Sequence, residues 1–176
     1  MAGSTDSGVY EIYLFTCTCT KPVLVWYDME TDSGGWTVFL NRQQQDIQLD
    51  FNLTWDHYKA GFGSPYSEYY LGNEVLHQMT YSRFYTIRLE VDLPSGGYDF
   101  TTYQYFKVDS EYNRYYGCQY FVPTARFNGG ILLSCTDVHN IEVTQVQLKL
   151  QPAICDTSFK TINLKDRNCG CADPER

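Results

Sequence analysis

The alternation of Tyr85, Ile87, Leu89 and Val91 with Thr86, Arg88, Glu90 and Asp92 constrains this chain more than any other feature. A strict period of two puts one face of a β-strand in the core and the other in water. Residues 94–97, from Pro94 to Gly97, turn the chain back into a second β-prone run over 98–108. Val146, Leu148 and Leu150 alternate in the same way with Gln147, Lys149 and Gln151, and Pro152 stops that strand. Near the start, residues 9–14 and 23–27 read as a hairpin joined through 16–22, and 36–40 adds a third strand after the Gly34-Gly35 turn. Between these strands the period changes. Phe51, Trp55, Tyr58 and Phe62 mark one face of a helix that begins near Asp50 and is ended by Gly61 and Gly63. Leu71, Val75, Leu76 and Met79 keep helical spacing for a second short helix, with Asn73 as its N-cap. The sum is an α+β fold, an antiparallel sheet with two short helices between its strands.

Composition narrows what such a fold can do. A chain of 176 residues with 43% hydrophobic content fits one domain with its own core. The net charge of −8 argues against nucleic acid and against anionic membranes, because both need clustered Lys and Arg. No apolar run reaches the roughly 18 to 20 residues that cross a bilayer, so membrane insertion is not expected. The opening MAGSTDSG has neither a basic nor an apolar leader segment, and the first strand follows almost at once. The expectation is therefore a fragment, with a signal peptide upstream. Seven cysteines, Cys17, Cys19, Cys118, Cys135, Cys155, Cys169 and Cys171, suit an oxidising, extracellular compartment and leave one thiol for interchain linkage. Sixteen tyrosines and ten phenylalanines fit a sheet-rich domain of that kind.

No residue constellation reads as catalytic. His57, His77 and His139 sit in no motif with a nucleophile or a metal ligand, and His57 and His77 read as helix-surface positions. Cys17-Thr-Cys19 and Cys169-Gly-Cys171 have a spacing that suits disulfides better than a tetrahedral zinc site. Asp166, Asn168, Gly170 and Asp173 lack the ligand order and bidentate Glu of a calcium loop. No cofactor or metal is expected, and no enzyme. Asn52-Leu53-Thr54 is an N-glycosylation sequon at a predicted helix start, where the Asn52 side chain has the alternative of capping the helix.

In order and spacing, SGVYEIY, YDMETDSGGWTVF, DFNLTWDHYKAGFG, EYYLGNEVLHQMT and YTIRLEVD resemble the fibrinogen C-terminal domain family, over about Asp6 to Tyr115. NGGILL and VQLKLQP are similar to the family's last two strands. The resemblance implies a fibrinogen-like domain over residues 6–152 and a Cys-containing polar tail over 153–176. It also implies that Trp36 and Trp55 are buried, since both fall in core-building family words. After FKVDSEYNRY the family continues through a Gly-rich stretch, an Asp-rich calcium loop and a Cys-His dipeptide, whereas this chain passes directly to YGCQYFVPTARFNGG. Cys118-Gln119 then takes the place of Cys-His, Tyr27 takes that of a family cysteine, and most of the calcium- and ligand-binding subdomain is missing. What the resemblance implies about function is a secreted recognition module for carbohydrate or glycoprotein ligands in innate defence or adhesion, with its remaining site around Gln119, Tyr120 and Phe127. The alternative is a structural or oligomerising domain without a ligand pocket, linked through regions outside this chain or through an unpaired cysteine.

Overall fold

The computed structural model describes residues 6–14, 22–81, 84–116, 123–124, 132–133 and 144–152. Six strands form the main sheet: β1 (Gly8–Ile12), β2 (Val23–Asp28), β3 (Trp36–Gln43), β6 (Tyr85–Asp92), β7 (Tyr98–Phe106) and β10 (Gln145–Pro152). Two short strands, β4 (Phe62–Gly63) and β5 (Tyr69–Tyr70), join it beside β3, and β8 (Pro123–Thr124) pairs with β9 (Leu132–Leu133) apart from it. The order across the main sheet is β1-β2-β3-β10-β6-β7, with every described pairing antiparallel. β10, late in the chain, lies between β3 and β6, so the sheet closes only when distant segments meet.

The predicted hairpin forms, with Val9 opposite Trp26 and Ile12 opposite Val23. Val146, Leu148 and Leu150 of β10 oppose Val91, Leu89 and Ile87 of β6, and directly opposed side chains share one face of the sheet. These residues, with Val25, Val38, Phe39 and Leu76, make the apolar core.

Two helices cover that core, and both begin differently from expectation. Helix α1 spans only Trp55–Ala60, behind an extended Thr54. Phe51 precedes it and Phe62 belongs to β4, yet the rings still meet. Phe62 packs at 4.9 Å from Phe51 and 5.1 Å from Tyr58, both edge to face. The helical spacing of these aromatics thus marked a packing face wider than the helix itself. Gly61 stops α1 at φ +89°, and a Cβ there would stand 2.4 Å from the Leu71 carbonyl oxygen. Helix α2 spans Asn73–Tyr81. Gly72 rather than Asn73 supplies its first accepting carbonyl, to the Leu76 N–H at 3.0 Å. Asn73 is inside the helix, and its Oδ1 accepts the Tyr70 hydroxyl at 2.5 Å.

The sheet's other face departs from the simple alternation. Arg88 and Lys149, expected in water, are each only 2% exposed. They sit opposite one another in the β6–β10 register and are neutralised by a cluster of acids. Lys149 Nζ contacts Asp28 Oδ2 at 2.6 Å and also Glu90, while Arg88 reaches Glu90 at 2.5 Å and Asp32 at 2.6 Å. The Phe100 ring closes over the Arg88 guanidinium at 3.6 Å. Burial of long cations requires such pairing, because an unpaired charge away from water is costly.

Burial by itself would raise the Asp28 carboxyl. The hydrogen bonds from Lys149 and Thr31, with the backbone N–H groups of Thr31 and Glu30, outweigh it and hold the group well below its ordinary 3.8. A depressed folded-state pKa stabilises the fold fully above the ordinary value, and that contribution is lost as the pH falls below about 3.8 towards the folded value. The melting midpoint is therefore expected to drop on acidification below about pH 4, and Asp28→Asn should start lower and show a shallower acid limb. An acid limb as steep in the variant as in the parent would remove Asp28 from this role.

Candidate functional site

β7 leads into a compact turn, residues 108–116, whose side chains gather at one end of the domain. A single 3₁₀ turn, Glu111–Asn113, is followed by Arg114 and Tyr115, both left-handed at φ +55° and +52°. Two consecutive non-glycine residues in that region need support from their surroundings. Asp109 provides part of it: its carboxylate accepts the Ser110 N–H at 2.7 Å and the Asn113 amide at 2.8 Å, and its backbone N–H donates to the Tyr116 carbonyl at 2.9 Å. Those first two bonds also hold the Asp109 carboxyl below its ordinary value.

Tyr115 anchors the turn from inside. Its buried hydroxyl donates to Glu74 of α2 at 2.7 Å, and its ring lies 5.8 Å from that of Trp55 in α1. Burial, then the bond to Glu74, pushes the phenol far above its usual range, whereas bonds from Gln78 and Tyr115 lower Glu74. Lys59 and Glu111 form an exposed ion pair at 2.5 Å, and His77 Nδ1 lies 2.9 Å from the Val108 carbonyl oxygen. On this base three rings remain open to solvent: Tyr112 is 94% exposed, Tyr116 58% and Trp55 48%. Asp109, Tyr112, Asn113, Arg114 and Tyr116 border an open recess of about 430 Å³.

A second, smaller recess of about 180 Å³ lies on the outer face of the sheet, beside Trp26, Tyr66 and Tyr69. Its floor is a ladder of amides, in which Asn41 Oδ1 accepts from Gln145 and Gln147 at 3.0 Å each, and Asn41 Nδ2 donates to the Ser67 carbonyl at 2.8 Å.

Neither recess holds a nucleophile paired with a base. Among the described residues no group of three His, Cys, Asp or Glu converges on a point where a metal ion could sit. Both recesses are suited to contact, the first through tyrosine rings beside Asp109 and Arg114, the second through aromatic faces and neutral amides.

Gln119, Tyr120 and Phe127 lie outside the described residues, as do all seven cysteines, His139 and the tail from 153 to 176. Asn52 is described and exposed, and it does not cap α1. Trp36 is buried as expected, but Trp55 is not, because its ring is held against Tyr115 at the domain's end rather than in the core. His77 is half-buried against Val108 rather than free on a helix surface. The sequence reading passed over Tyr112 and Tyr116. The density of tyrosine and polar residues in SEYNRYY is the signal that would have marked them.

The family described as fibrinogen beta and gamma chains, C-terminal globular domain, matches residues 1–146. Mouse angiopoietin-4 is 41% identical over 114 residues, which cover 65% of this chain and 22% of that protein. Human angiopoietin-1 is 38% identical over 114 residues, again 65% of this chain and 22% of the relative. The chain thus spans about a fifth of the length of these curated relatives. Among solved structures, the fibrinogen-like globe domain of human ANGPTL6 superposes with a TM-score of 0.71 at 22% identity, covering 86% of this chain and 91% of that one. A lamprey fibrin D-dimer complexed with the peptide ligand Gly-His-Arg-Pro-amide superposes with a TM-score of 0.65 at 19% identity, covering 96% and 75%.

Proposed function

The chain belongs to the fibrinogen C-terminal globular domain family, and from that premise we propose that it recognises an extracellular glycoprotein, or the carbohydrate on one, through its tyrosine-rich end. The domain is of the secreted, non-enzymatic recognition type of its angiopoietin and ANGPTL relatives. The observation that carries the proposal is the trio Trp55, Tyr112 and Tyr116, exposed on a turn that Tyr115, Glu74 and Asp109 hold in place. Rigid aromatic side chains that need little further ordering are the usual anchors of recognition surfaces. Tyr116 leads directly into the segment containing Gln119, Tyr120 and Phe127, and these three residues extend the contact surface. Adhesion or innate defence is the setting such a ligand suggests.

The test is a binding screen of the purified domain against immobilised extracellular glycoproteins and their enzymatically deglycosylated forms. Tyr112→Ala is expected to weaken binding at least about tenfold, the effect of losing an anchoring aromatic. The melting midpoint should not move, since the Tyr112 side chain stands in solvent. Binding that Tyr112→Ala and Tyr116→Ala leave intact would place the contact elsewhere. A domain that binds no member of the panel would favour the structural, oligomerising reading.

A further inference from the structure

We propose that Asn52 carries an N-linked glycan. Asn52-Leu53-Thr54 is the chain's one Asn-X-Ser/Thr sequon, and the sequence left two uses open for the Asn52 amide, helix cap or glycan acceptor. The structure removes the first. Helix α1 starts at Trp55 behind Thr54, so Asn52 lies two residues before the cap position. Its backbone N–H donates to Asp50 Oδ1 at 2.7 Å, but its side-chain amide has no partner among the described residues. The Thr54 hydroxyl is engaged locally, 2.8 Å from His57 Nδ1.

Position agrees with chemistry. Asn52 and Thr54 are both exposed, while their neighbour Phe51 is buried. A bulky hydrophilic group at Asn52 therefore displaces no core contact. In the transfer, the Asn52 amide nitrogen forms a bond to the anomeric carbon of a polyprenyl-diphosphate-linked oligosaccharide. The bond from that carbon to the phosphate oxygen breaks, the lipid diphosphate leaves, and the amide loses one proton. The donor belongs to the secretory compartment, so the modification rests on the extracellular assignment. Three residues span at most about 10 Å of extended chain, so the glycan stands beside Trp55. If the tyrosine-rich end is the recognition surface, its partner must then approach from the side of Tyr112 and Tyr116.

The test expresses the full 176-residue chain behind a heterologous secretory signal in a glycosylating eukaryotic cell. Intact mass is read before and after treatment with peptide-N-glycosidase. The expected result is the loss of one glycan's mass, with aspartate at the Asn52 position in the released peptide. Asn52→Gln and Thr54→Ala should each be secreted without that mass. A secreted parent chain with the mass of the bare polypeptide would overturn the proposal, as would a glycan that persists in Asn52→Gln. Because mass is read without any ligand, this result is independent of whether the domain binds a glycoprotein.

Discussion

Glu68→Gln is expected to destabilise the domain by about 3 to 5 kcal/mol, the usual cost of removing one partner of a buried ion pair. Glu68 is 2% exposed and accepts five hydrogen bonds. Arg42, Gln48 and the backbone of Gln43 donate to one oxygen, and Gln45 and the Leu49 N–H to the other. The carboxylate therefore ties the loop after β3 to the start of β5. Arg42 is buried as well, with its guanidinium 4.0 Å from the Phe51 ring centroid, so it cannot turn to water when its counter-charge is lost. The substitution keeps the shape, and only the charge and part of the accepting capacity disappear. Urea unfolding should show a lower midpoint with an unchanged slope. A shift worth less than about 1 kcal/mol, the level of a surface pair, would mean that the loop reorganises and hydrates Arg42.

Lys149→Met should have an effect of similar size, about 3 to 5 kcal/mol near neutral pH. Lys149 is the cation between Asp28 and Glu90, on a central strand flanked by β3 and β6. Methionine fills a comparable volume, so the cost reports charge rather than a cavity. Without the ammonium, Asp28 loses the hydrogen bond from Lys149 and burial weighs more against its charged form, while Glu90 keeps its ion pair with Arg88. The acid limb should therefore flatten: the variant should lose less stability than the parent as the pH falls below about 4. The triple variant Lys149→Met, Asp28→Asn, Glu90→Gln should recover much of the loss, because a neutral replacement of a buried ionic cluster is often tolerated. A Lys149→Met profile parallel to the parent's would mean that Asp28 does not depend on this lysine.

How far the sequence spoke for itself differs from element to element. The period-two runs of β6 and β10 and the hairpin of β1 and β2 were legible, because alternation is a local property that every antiparallel strand with one apolar face must show. The family words SGVYEIY and VQLKLQP fall on β1 and β10, whereas the described part of NGGILL, Leu132–Leu133, lies in β9, apart from the main sheet. The polar half of the alternation misled, since Arg88 and Lys149 look like solvent-facing residues until Asp28 and Asp32, more than 50 residues away from Arg88, are brought against them. No local pattern encodes such a pairing. Helix α1 was overextended for a related reason: Phe51 and Phe62 keep helical spacing, but their rings meet through the turn at Gly61.

The candidate site divides along the same line. The sequence by itself determined the fold family, the strand pattern, the acidic charge and the sequon at Asn52, all of which are written in short stretches of chain. Only the tertiary structure decided that Asn52 is free of the helix cap and that Trp55 is half in solvent against Tyr115. It alone decided that Glu68, Arg42, Lys149 and Arg88 are buried charges. Exposure and pairing depend on which distant side chain arrives opposite a given residue, and in this fold β10, which begins 53 residues after β6 ends, must insert between β3 and β6 before Lys149 meets its acids.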